Sequence, residues 1–137
     1  MSKNAKALGE LFDAAKAAHA NAYAPYSRFH VGAAIRTPEG EIFSGCNVEN
    51  AAYPQGSCAE AGAIAAMALA GERRIAEILV IGDGAALCTP CGGCRQRIRE
   101  FGDPSTLIHI AGPEEVRAKF TLSELLPESF GPDHLAV

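Results

Sequence analysis

Glu77-Ile78-Leu79-Val80-Ile81 is a short, continuous apolar run, and Leu107-Ile108-His109-Ile110-Ala111 is a second one thirty residues further on. A strand with one wet face alternates polar and apolar side chains, so runs without alternation read as strands covered on both faces. Two such strands need a helical layer above and below. Residues 94–101 form a candidate helix between them, entered through a loop at 82–93, and residues 58–70 form another, so rich in Ala that burial on nearly all sides is expected. Further upstream, residues 29–37 and 41–48 read as strands joined by the turn Pro38-Glu39-Gly40, a hairpin whose first strand, Val31-Gly32-Ala33-Ala34-Ile35, offers little side-chain bulk on either face. At the start, Leu8, Leu11, Phe12, Ala15 and Ala18 recur at helical spacing with Glu10, Asp13 and Lys16 between them, an amphipathic helix over residues 5–21. Past Gly112-Pro113, residues 117–126 hold a fifth strand and a short helix before Pro127. Helix, hairpin, helix, strand, helix, strand is the order of an α/β chain, and we expect a three-layer α/β/α sandwich around a mixed sheet of about five strands. With 137 residues and no linker, repeat or low-complexity tract, the expected organisation is a single domain over 1–137.

Composition narrows the function classes. Hydrophobic residues make up 48% but aromatics only 7%, with no Trp, so much of the core must be Ala packed against branched aliphatics. No apolar run approaches the ~18 residues needed to span a bilayer; the longest candidate, residues 59–70, contains Glu60 and Gly62 and stops at Gly71-Glu72. The N-terminal stretch carries charges throughout and has no apolar core of a secretory signal, so a cytoplasmic location and no membrane partner are expected. A net charge of −4 and a pI near 5.5, without a basic run, argue against nucleic acid.

Five cysteines in such a chain are ligands or core residues sooner than disulfides. Cys91-Gly92-Gly93-Cys94 is a C-x-x-C at a predicted helix start, where two sulfurs face the positive end of the helix dipole. Alone it fits a redox pair, half a metal site or coincidence. Cys58 opens the other buried helix, and two such helices side by side would bring three sulfurs to one point. Cys88 forms a second C-x-x-C with Cys91; a fourth sulfur would make a closed, merely structural four-cysteine zinc module, whereas three leave a position for water. Cys46 lies on a strand as a small core residue. Glu60 sits two residues after Cys58 in an Ala-rich helix that offers a carboxylate few polar partners.

Cys58-Ala59-Glu60 followed by Pro90-Cys91-Gly92-Gly93-Cys94-Arg95-Gln96 resembles the zinc nucleobase deaminases, whose motif has this form. With Pro25-Tyr26-Ser27-Arg28-Phe29, Val31-Gly32-Ala33-Ala34, Asn47-Val48-Glu49-Asn50-Ala51-Ala52-Tyr53-Pro54 and Leu125-Leu126-Pro127 before Phe130, the chain is similar from end to end to the small homotetrameric, all-cysteine cytidine deaminases. The resemblance implies one zinc per chain held by Cys58, Cys91 and Cys94, with Glu60 as the catalytic proton shuttle. It implies hydrolytic deamination of cytidine and deoxycytidine to the uridine products in pyrimidine salvage, the rival substrates being another cytosine nucleoside or a flipped nucleic-acid base, which the acidic pI opposes. Backbone groups of Ala59 and Thr89 would hold the base edge and Phe29 would wall the pyrimidine and sugar. Asn47 and Glu49, two apart in an extended segment and so on one side of it, would take the ribose 3′-hydroxyl. Tyr53 and Phe130 would reach across subunits to close a neighbour's site. Arg95, Arg97 and Arg99 read as a charged helix face. One departure stands out: these deaminases commonly carry Arg after the catalytic Glu, and here that position is Ala61. Zinc with three thiolates has a net charge of −1, so the compensation must come from helix N-termini or from another cation such as Arg95.

Overall fold

The computed structural model describes residues 2–135. The chain runs α1 (Lys3–Ala20), β1 (Val31–Arg36), β2 (Ile42–Cys46), α2 (Ala59–Leu69), β3 (Glu77–Gly82), α3 (Gly92–Phe101), β4 (Leu107–Ala111), β5 (Val116–Thr121) and α4 (Leu122–Leu125), with 3-10 turns at Tyr53–Gln55 and Pro132–Leu135. The five strands form one sheet in the order β2-β1-β3-β4-β5, in which only β3 and β4 are parallel. This is the mixed sheet the alternation of elements predicts, and the two unbroken apolar runs are its adjacent inner strands. Alternate residues explain why both sides are apolar apart from the buried His109, which lies within hydrogen-bond distance of Glu77: Ile78, Val80, Ile108 and Ile110 pack with α2 and α3, while Leu79, Ile81 and Ala111 pack with Leu11 and Ala15 of α1. Each run therefore fills two cores.

The lack of bulk in β1 has a steric cause. A Cβ built on Gly32 would stand 2.3 Å from the carbonyl oxygen of Ala15, and one built on Gly45 of β2 would stand 2.4 Å from the backbone nitrogen of Ala63. Helices α1 and α2 thus rest backbone to backbone on opposite faces of the hairpin. Its turn closes through Gly40, whose φ of +96° a residue with a side chain adopts at a cost.

Two expectations change. α3 begins at Gly92, two residues earlier than the propensities of Gly92 and Gly93 suggest, so Cys91 is its N-cap and Cys94 lies in its first turn. α2 is not buried on nearly all sides: Ala59, Glu60, Ala63, Ile64 and Met67 face inward, but Ala65 and Leu69 are exposed. The sheet and α3 cover one side of this helix, and among the described residues Ala65 and Leu69 on the other are left exposed.

Candidate active site

Cys58 and Cys91 occupy the N-caps of α2 and α3, and neither cap is closed by a side-chain hydrogen bond of the kind Ser, Thr, Asp or Asn would make. Both helices instead aim the positive ends of their dipoles at sulfur. Because α2 and α3 lie side by side on the same face of the sheet, Cys58, Cys91 and Cys94 converge, with all three sulfurs within 4.8 Å of one another. Tetrahedral zinc–sulfur geometry requires about 3.8 Å between sulfurs, so small side-chain adjustments suffice. Backbone N–H groups of Cys94 and Gly93 pull the Cys91 thiol below its ordinary pKa, while burial pushes those of Cys58 and Cys94 up. Three soft donors at a pair of helix N-termini suit zinc. Cys88 is not part of this group among the described residues: it stands in the cleft wall beside Gly82, so the donor set is three sulfurs and leaves a fourth position. Cys46, half-buried on β2, directs its thiol to the carbonyl of Asn21, 3.7 Å away.

Glu60 is 4% exposed, in the first turn of α2, and burial raises its pKa above the ordinary carboxylate value. It shares a cleft of about 330 Å³ with Cys58, Cys91, Ala59, Thr89, Cys88, Val31, Asn47, Glu49 and Tyr53. A buried acid at the floor of a cleft beside a metal-binding sulfur cluster is a group that can carry protons. The cleft continues into a hollow of about 380 Å³ bounded by Tyr26, Ser27 and Asn50, which shares Glu49 and Tyr53 with it.

Asn47 and Glu49 both reach the cleft, and both also brace it. The Asn47 amide donates to the carbonyl of Phe29 at 2.8 Å and accepts from the backbone N–H of Val31 at 2.9 Å. Glu49 accepts the backbone N–H groups of Tyr26 and Ser27, at 3.0 and 3.1 Å, and the Ser27 hydroxyl, bonds that hold its pKa below the ordinary value. The turn so fastened carries Arg28 at φ +62°, a left-handed conformation unusual for a residue with a side chain.

The remaining expected residues divide. Ala59 and Thr89 lie at the sulfur end of the cleft, and Tyr53 stands at its rim, 75% exposed, edge-on to Tyr26. Phe29 does not line this cleft; its ring tip would lie 3.4 Å from a Cβ on Gly82. Phe130 does not line its own chain's cleft and is stacked on His134 with ring centroids 5.0 Å apart. The three arginines are not one charged face. Arg95 is a staple, donating to the carbonyls of Pro90 and Leu125 and to the Thr89 hydroxyl; Arg99 fastens the tail through Ser129 and Asp133; Arg97 points at the Cys94 sulfur. Asp83 is a further residue that sequence reading passed over. It accepts from the His30 backbone and lies within hydrogen-bond distance of the His19 and His30 rings, tying α1 to the start of β1. Its position at the end of β3 is visible only once the strands are paired.

A family model described as the cytidine and deoxycytidylate deaminase zinc-binding region matches residues 6–110. A cytidine deaminase of Sporosarcina psychrophila is 36% identical over 127 residues, 93% of either chain, and one of Mycobacterium tuberculosis is 40% identical over 119 residues, 86% of this chain and 85% of its own. The solved structure of the cytidine deaminase of Burkholderia pseudomallei shares 42% identity and a TM-score of 0.82, over 95% of this chain and 100% of that one.

Proposed function

This chain belongs to the cytidine and deoxycytidylate deaminase family, and from that premise we propose that it is a zinc-dependent hydrolase converting cytidine, and deoxycytidine, to the uridine product and ammonia. The observation that carries the proposal is the convergence of three sulfurs and one buried carboxylate at a single cleft, with a fourth position left for water. When bound by Cys58, Cys91 and Cys94, zinc supplies the Lewis acidity that makes water nucleophilic near neutral pH. Glu60 takes a proton from the attacking water and delivers it to N3 of the ring as the C4 carbon becomes tetrahedral, then takes the remaining proton of the added hydroxyl and delivers it to the departing amine, which leaves as ammonia. Its burial supports that cycle, because a carboxyl with a raised pKa both accepts and returns a proton.

Substrate contacts are assigned on the same reading. Backbone groups of Ala59 and Thr89 hold the base edge, and the Arg95 staple supports this role by locking Thr89 to α3. Asn47 and Glu49 hold the ribose 3′-hydroxyl; each is already fixed by the residue 26–31 turn, so little rotamer freedom is lost on binding. Phe29, which stands behind the cleft lining beside Gly82 and Cys88, is assigned to back the wall for pyrimidine and sugar from there. The chain acts as one domain within a homotetramer, in which Tyr53 and Phe130 close a neighbour's cleft and the outer stripe of α2, Ala61, Ala65, Ala68 and Leu69, meets another copy. The exposure of Leu69, 91% in a single chain, supports this. The setting is cytoplasmic pyrimidine salvage; no helix among the described residues is long and apolar enough to cross a membrane.

The test is ammonia release by purified protein from cytidine, deoxycytidine, free cytosine and a cytosine-containing oligonucleotide, with the Glu60→Gln variant alongside. Both nucleosides are expected to turn over, the oligonucleotide to be inert, and Glu60→Gln to retain zinc while losing turnover by roughly three or more powers of ten. Appreciable turnover by Glu60→Gln would remove the proton shuttle from the mechanism.

A further inference from the structure

We infer that Arg97 is the residue that balances the charge of the metal centre in this chain, a positioning residue acting through Cys94 from the opposite helix to the vacant cationic position at Ala61. The inference rests on the zinc reading of the three cysteines. Three thiolates around Zn²⁺ leave a net charge of −1, and an ionised Glu60 beside them adds to it. Cys94 is fully buried and Glu60 nearly so, which makes an unbalanced charge there costly. The two helix N-termini supply partial charges only.

Three guanidinium groups on α3 are near enough in sequence to contribute a whole one. Arg95 is committed elsewhere: its Nε donates to Pro90 at 2.7 Å, its Nη1 to Leu125 at 2.8 Å and its Nη2 to Thr89 at 3.1 Å. Arg99 is paired with Asp133 at 3.0 Å. Arg97 is one helical turn beyond Cys94, on the same side of the helix, with Nη1 3.8 Å from the Cys94 sulfur. Among the described residues no carboxylate lies within ion-pair distance of it. Gly93 leaves the space: a Cβ there would come within 3.3 Å of Nη1.

An N–H directed at a ligating sulfur draws electron density off it, so the metal retains more positive charge and the thiolate is held in its ligating form. The experiment compares zinc-loaded wild-type protein with Arg97→Met and Arg97→Lys, measuring the rate of zinc release to a chromophoric chelator and, after cobalt substitution, the energy of the sulfur-to-cobalt charge-transfer band. Because the Arg97 side chain emerges at the surface, both variants should melt cooperatively, which a thermal scan checks. We expect Arg97→Met to release zinc roughly five- to tenfold faster, allowing for solvent screening of a partly exposed pair. Its cobalt band should move to lower energy, and Arg97→Lys should restore most of both. Release at the wild-type rate with an unmoved band would overturn the inference, as would a Lys variant no better than Met. Wild-type protein that binds no zinc would instead overturn the reading of the cysteine site itself.

Discussion

Whether the sulfur site is catalytic or structural turns on one atom, the Cys88 sulfur. It lines the same cleft as Cys58 and Cys91, two residues from Cys91's preceding proline, yet stands outside the convergent group. Since each ligand comes from the start of a helix that must be folded to present it, removing one costs both metal affinity and stability. Cys94→Ala is therefore expected to lower zinc, measured by atomic absorption, from about one equivalent per chain to near zero, whereas Cys88→Ser keeps it. Loss of zinc in Cys88→Ser would make the centre a closed four-sulfur site. The convergence of Cys58, Cys91 and Cys94 was legible because helix starts were readable at Cys58 and beside Cys91, while the spacing alone left a redox pair open and only the resemblance singled out this set with Glu60. The arginines were not. Arg95, Arg97 and Arg99 differ in role only through the direction each leaves α3, and that depends on a helix start at Gly92 which helix propensity argues against. With the helix started there, the backbone N–H groups of Gly93 and Cys94 are gathered on the Cys91 sulfur.

At the scale of elements, the site depends on how closely α2 sits on β2. Cys58 and Glu60 are carried by the first turn of α2, and the depth of that turn is set by Gly45, where a Cβ would meet Ala63 nitrogen at 2.4 Å and Ala59 oxygen at 2.7 Å. Both obstacles are backbone, so neither rotates away. Gly45→Ala must lift the helix, and we expect a loss of roughly 2–3 kcal/mol in urea denaturation, the size of core overpacking, together with weakened zinc retention. Gly62, on α2 facing Gly45, is the matched control: a Cβ there lies at an ordinary 3.5 Å from the Gly45 Cα, so Gly62→Ala should leave zinc content unchanged. Equal losses from both substitutions would refute the close-approach argument. The partner strand of β2, β1, was readable as lacking bulk, and the two inner strands as covered twice, because patterning reports burial directly. Which glycine meets which helix was not readable, since that follows from the pairing of Ala33 with Gly45 across the hairpin.

The whole molecule leaves apolar surface that a single chain does not use. The Ala-rich pattern of α2 predicts burial all round, and the fold buries one side, leaving Ala65 and Leu69 outward. In the proposed homotetramer that outward stripe is covered by another copy, which would account for the pattern. Tyr53 at the rim and Phe130, 55% exposed in a tail that Arg99 and Gln96 hold in place, are likewise large side chains fixed in position without a core to enter. A rigidly held aromatic loses little entropy on meeting a neighbour, which suits a residue that completes another subunit's cleft. In the proposed homotetramer, light scattering should give roughly four chain masses. Phe130→Ala should leave mass and zinc content unaltered, because the tail is anchored through the Phe130 carbonyl and through Ser129 and Asp133, none of which the substitution removes. Its KM for cytidine should rise about tenfold or more while kcat changes less, as expected when uniform binding is lost. A monomer with full activity, or a Phe130→Ala enzyme with an unchanged KM, would show that each cleft is complete within its own chain.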